Sequence, residues 1–129
     1  MFYFFDVMKA NLKNFVHTKE SFSAVGDGVI QHAGDFPKAN WTLLVYGVDA
    51  SGNPIAIGTD TFTVQLIGSL NGREDVEIVA ATQADVVAGQ NNVYKYSSNA
   101  TPMFFTQVIV SVLTLNAFDH IVVDVLGTP

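Results

Sequence analysis

The residues able to do chemistry are few and scattered. His17, His32 and His120 stand far apart, with no His-x-His and no HExxH pattern. A zinc site takes three or four N, S or O ligands, usually with some local pairing. His120 and Asp124 share one face of a candidate strand, but four residues of strand separate them by about 13 Å, too far for one metal. Asp49-Ala50-Ser51-Gly52-Asn53 resembles the start of a calcium loop, with Asp60 at the twelfth position. Pro54 stands where such a loop needs glycine, so a hairpin turn is the better reading. Glu74, Asp75 and Glu77 are the densest acidic cluster. Paired carboxylates serve glycoside hydrolysis when held apart across a cleft. Adjacent ones on a strand point to opposite faces, so a solvated charge run is expected here. There is no Gly-x-Ser-x-Gly and no phosphate loop, since Gly26-Asp27-Gly28 lacks the third glycine. No catalytic, cofactor-binding or metal residue is therefore assigned, and no enzyme is expected.

The aromatic residues offer a different chemistry. Trp41, Tyr46, Tyr94 and Tyr96 could form a flat platform for a sugar, and Tyr94 and Tyr96 share one strand face. The competing expectation buries Trp41 in the core beside Phe62 and Phe105, as large rings usually are. Tyr94 and Tyr96 are kept as the candidate ligand platform.

What holds these residues is a short, apolar, acidic chain. Its 129 residues fit one domain. Hydrophobic residues make up 49% and charged residues 14%, against roughly 25% charged in an average soluble protein, which excludes intrinsic disorder. With no cysteine, disulfide scaffolds and thiolate sites are excluded. The net charge is −6, and residues 39–129 have Arg73 and Lys95 as their only Lys or Arg. Nucleic acid and anionic membrane surfaces are disfavoured as partners. The apolar start 1–5 is cut by Asp6 and lacks a basic flank, so no signal peptide is expected. The uncharged run 96–118 is long enough to span a bilayer, but it is β-branched and contains Pro102, so it reads as strand.

Val, Ile and Thr abound, and turn signals recur at short intervals. That pattern predicts an all-β antiparallel sandwich. Trp41, Leu43 and Val45 share one face of a strand over 41–48, and Phe62, Val64 and Leu66 one face of 61–68. Further strands are expected at 55–57, 76–81, 93–96 and 105–115, the last being the longest. It is apolar on both faces, with Phe105, Ile109, Leu113 and Leu115 on one side. A final strand carries Ile121, Val123 and Val125, with His120 and Asp124 facing away. Residues 1–35 form an N-terminal arm or helix plus a first strand, and 36–129 the sandwich body. Phe5, Met8, Leu12 and Phe15 have helical spacing with lysines between them. The segment reads either as a helix on the sandwich or as an arm gripping a neighbour. A strand without a polar face predicts burial against a partner, most simply a homo-oligomer.

The stretch Val64-Gln65-Leu66-Ile67-Gly68-Ser69-Leu70-Asn71-Gly72 resembles the strand-then-turn pattern V-x-L-x-G-S-x-D/N-G of small β-sandwich structural proteins of tailed bacteriophages. The closing pattern, from Val108, Val110 and Val112 to Ile121, Val123, Val125 and Gly127, is similar to their last two strands. About half the chain is covered. The resemblance is to jelly-roll capsid decoration, or cement, proteins, and the rest is what it implies: no catalysis, and a homotrimer on the local three-fold axes of a phage head, bound to the major capsid protein. The location would be the virion surface. Two other functions remain open on the residues: a carbohydrate- or receptor-binding module of a phage fibre, and another virion part such as a head-completion or tail protein.

Overall fold

The computed structural model describes residues 15–32, 38–73, 75–85 and 92–129, with backbone alone at 99–102. Among the described residues nine strands follow one another: β1 (Val16–Phe22), β2 (Gly26–Asp27), β3 (Gln31–His32), β4 (Lys38–Val48), β5 (Thr61–Ser69), β6 (Val76–Thr82), β7 (Asn92–Met103), β8 (Phe105–Thr114) and β9 (His120–Thr128). A short 3-10 turn, Gln83–Asp85, follows β6. No helix among the described residues is long and apolar enough to cross a membrane.

The strands form two antiparallel sheets. One has the order β1-β9-β4-β7, and the other has β2 and β3 both on β8, then β5 and β6. With β2 and β3 taken as two parts of one interrupted strand, eight strands wind between the sheets in jelly-roll order. The expected fold class is therefore observed.

Alternation builds the core. Trp41, Leu43 and Val45 of β4 face Phe62, Val64 and Leu66 of β5, all 2% exposed or less. Val108 and Val110 of β8 and Ile121, Val123 and Val125 of β9 complete it. Trp41 lies flat on Gly127, where an added Cβ would stand 2.5 Å from the ring. Two turns require glycine for conformation: Gly52 at φ 86° and Gly72 at φ 78°.

Four strand expectations need correction. Residues 55–57 form no strand. Pro54, which lacks an N–H, makes one bridge to Val48, and Ile55 and Ile57 pack singly against the core. The expected strand at 93–96 is the start of twelve-residue β7, which is longer than the ten-residue β8. The turn signal Asn99-Ala100-Thr101-Pro102, one of those that break the sequence at short intervals, lies inside β7, and an edge strand tolerates Pro102 because one side of the ladder is unpaired. In β8, Thr63 opposes Val112 while Val64 opposes Val110, so Ser111 is an extra, bulged residue. The bulge flips the face. Phe105 and Ile109 lie half-buried on the outer side, whereas Leu113 and Leu115 pack on the core and Val112 is exposed. The outer side of β8 also carries Gln107, so the strand is not apolar on both faces throughout.

Residues 16–32 pair into both sheets, β1 with β9 and β2 and β3 with β8. The helical spacing at Phe5, Met8 and Leu12 lies outside the described residues.

Candidate functional site

The outer face of the β1-β9-β4-β7 sheet gathers the candidate residues. The alternation that sends Trp41, Leu43 and Val45 inward leaves Thr42, Leu44 and Tyr46 outward. Register then places side chains in rows across the strands. Tyr96 opposes Thr42, which opposes Leu126, which opposes His17. The next row runs Tyr94, Leu44, Asp124 and Lys19. Tyr94 and Tyr96 are 67% and 64% exposed, so the expected tyrosine pair does stand on an open face. An open groove of about 480 Å³ runs from Phe15 and His17 past Leu126 and Leu44 to Tyr94.

The polar groups here hold one another. His17 Nε2 lies 2.5 Å from Asp124 Oδ1. Lys19 Nζ stands 5.9 Å from the centre of the Tyr46 ring. Its hydrogen bond to Tyr46, and the charge of Asp124, raise the Lys19 ammonium above its ordinary value. Asp124 thus pairs with β1, a partner that sequence distance concealed, while His120 Nδ1 lies 2.8 Å from Asp119 instead. The groove is otherwise apolar. Its chemistry is that of a contact surface with the His17–Asp124 hydrogen bond on its lining.

The remaining sequence candidates disperse. Trp41 is fully buried, so it takes no part in a platform, and its indole N–H donates to the Lys38 carbonyl at 3.2 Å. Phe62 shares that core, but Phe105 stands on the other sheet's outer side with the His32 ring edge-on at 4.9 Å. Asp49 accepts from the backbone N–H of Ser51 and Asn53, both at 2.9 Å, closing a turn. Asp60 is buried at the far end and accepts from the backbone N–H of Gly58, Asn116, Ala117 and Phe118. Burial pushes its carboxyl up, but the four donors outweigh burial and hold it below the ordinary carboxylate value. Asp75 and Glu77 are exposed, and Glu77 accepts from Gln65 at 2.7 Å; Glu74 lies outside the described residues. Among the described residues no group of three or more His, Asp or Glu is placed to hold a metal.

A second apolar surface escaped the sequence reading. Val25, Val29 and Ile30 are 58%, 65% and 63% exposed along the β8 edge of the other sheet. They are held by polar anchors: Gly28 N–H donates to Val108 O at 2.7 Å, Gln107 donates to Gly28 O, and Val29 N–H donates to Glu20. Gly28 comes so near Glu20 that a Cβ would stand 2.5 Å from its carboxylate oxygen. The available signal was three branched aliphatics flanking Gly26-Asp27-Gly28, where turn residues are usually polar.

No family model and no curated protein matches the chain. Its fold is similar to that of SPBc2 prophage-derived protein YomS, at 11% identity over 88% of this chain and 96% of that one, with a TM-score of 0.50. Weaker likenesses are to a chain of the acidic stable capsid structure of Helicobacter pylori bacteriophage KHP30 (15% identity, 89% and 87% covered, TM-score 0.47) and to the Yersinia pseudotuberculosis-derived mitogen (9%, 89% and 85%, TM-score 0.43). The resemblance to phage β-sandwich proteins read from the late strands is thus met, as a likeness of fold, by a prophage protein.

Proposed function

We propose that this protein is a non-enzymatic part of a tailed-phage virion, a decoration protein that binds the major capsid protein of the head as a homo-oligomer, most simply a trimer. One observation carries the reading: Val25, Val29 and Ile30 form an apolar edge clamped by Glu20 and Gln107 rather than left to move. A rigid apolar edge loses little entropy on docking, which favours a permanent contact. The jelly-roll winding and the sequence resemblance support the same reading. No cofactor is needed for such a role.

The test uses heads assembled without the protein. Purified protein should bind them saturably, and a variant carrying Val29→Asp and Ile30→Asp, shown folded by circular dichroism, should bind at least tenfold more weakly. Failure of the unaltered protein to bind would sink the reading.

A second reading is favoured by the exposed pair Tyr94 and Tyr96. Two rings on one strand face suit a saccharide, as in a receptor-binding module of a fibre. Glycan-array binding lost on Tyr94→Ala or Tyr96→Ala would select it over the first.

A further inference from the structure

We propose that Asn71 is a site of spontaneous deamidation that the fold holds closed, with Ser69 as the residue that closes it. The inference goes beyond the virion reading and does not rest on it.

The chain contains one Asn-Gly pair, Asn71-Gly72. Its chemistry is intramolecular. The Gly72 amide nitrogen attacks Cγ of Asn71, a C–N bond forms, and the Cγ–Nδ2 bond breaks. Nδ2 leaves as ammonia, taking the proton of the Gly72 N–H. Water then adds to one carbonyl of the cyclic imide. Its proton passes to the nitrogen as that C–N bond opens, and aspartate or isoaspartate remains. Glycine permits the attack most readily, because it has no Cβ to crowd the nitrogen. The fold requires glycine here for another reason: Gly72 has φ 78°, a region closed to most side chains. Both residues are exposed, so water has access. The turn therefore carries a reactive pair that it cannot exchange without strain.

Ser69 restrains that pair. It is the last residue of β5, is buried, pairs with Phe105 of β8, and accepts the Phe104 N–H at its carbonyl at 3.1 Å. The sheet thus fixes where its hydroxyl stands. Ser69 Oγ accepts the Gly72 N–H at 2.8 Å and the Asn71 N–H at 3.3 Å. The attacking nitrogen must give up its proton, so a hydrogen bond that holds the N–H opposes attack. Asn71 Oδ1 is tied as well, by the Arg73 N–H at 2.8 Å and the Ser69 hydroxyl at 3.2 Å. A backbone N–H only donates, so the Arg73 bond fixes which end of the amide is the oxygen. Cγ must come into line with the Gly72 nitrogen to react, and it breaks these bonds to do so. One hydroxyl therefore holds both reacting groups. The location gives the lock a consequence. Gly72 lines one hollow with Asp75, Ile30 and Phe105, so a carboxylate formed at position 71 adds negative charge beside the exposed Ile30 edge.

Conversion of the full chain, kept warm at mildly alkaline pH, is followed by peptide mapping in a mass spectrometer, with the gain of one mass unit located at Asn71. The folded chain should convert at least about tenfold more slowly than the same chain unfolded in guanidinium chloride. Ser69→Ala, shown folded by circular dichroism, should convert about fivefold faster than the unaltered protein, the worth of one lost hydrogen bond. Ser69→Thr keeps the hydroxyl and should stay near the unaltered rate. Equal rates in the folded and unfolded chain would overturn the proposal, as would Ser69→Ala at the unaltered rate or Ser69→Thr at the alanine rate. Hydrogen exchange at the Gly72 amide needs no variant. Its proton should exchange at least about tenfold more slowly than in the unfolded chain, and exchange at the unfolded rate contradicts the assignment. Neither readout involves a capsid, so either result leaves the virion reading to its own experiment.

Discussion

Asp60 shows how far a single residue reaches. Its carboxylate gathers four backbone N–H groups from two loops that meet at one end of the sandwich. Hydrogen bonds to a charged group are each worth roughly 1.5–3 kcal/mol net. Asp60→Asn keeps the shape but loses the charge and turns an acceptor into a donor. It should lower stability by about 2–4 kcal/mol at neutral pH, read as the shift of the urea midpoint. The pH dependence has a definite sign. The folded carboxyl is held below its ordinary value of 3.8, so its stabilisation is present above that value and is lost as pH falls through the folded pKa. The gap between protein and variant should therefore be widest near pH 7 and shrink below about pH 4. Gly127 is the other residue with such reach, because Trp41 occupies the space of its missing side chain. Gly127→Ala should cost about 1–3 kcal/mol by overpacking, measured the same way.

At the scale of elements, β8 decides the most. Its bulge at Ser111 sends Val108 and Val110 into the core and then Leu113 onto the same core. Deleting Ser111 should restore period-2 pairing with Val112 still outward and Leu113 still opposite Phe62 on the core, so thermal melting should stay within a few degrees of the unaltered chain, whereas a bulge essential to the fold would make it fall steeply. The same strand marks the limit of what sequence reveals. The inward sets on β4, β5 and β9 were legible because each recurs at every second position and is bounded by turn residues. The bulge was not, because an inserted residue leaves no mark in a run that is apolar at both parities. The extension of β7 through Pro102 was hidden because its edge position, which makes proline acceptable, is a property of topology. At the site, the Tyr94 and Tyr96 pair was legible from alternation alone, whereas the pairing of His17 with Asp124 spans 107 positions and arises only when β1 docks on β9.

Taken whole, the described residues form a jelly-roll body with an apolar surface across the β1-β9-β4-β7 face and another along the Val25, Val29 and Ile30 edge. Monomeric proteins rarely leave large apolar patches open. The proposed role assigns the second surface to contacts with copies of the protein and with a shell. Light scattering after size exclusion should give the mass of a trimer, close to three times 13.9 kDa, and Ile30→Asp should shift it toward monomer. The most direct measurement is electron cryomicroscopy of phage heads assembled without the protein and then incubated with it. The proposed role predicts jelly-roll density on the outer shell at local three-fold positions, with the β2–β3 edge turned to a neighbour. Bare heads at saturating protein would contradict it.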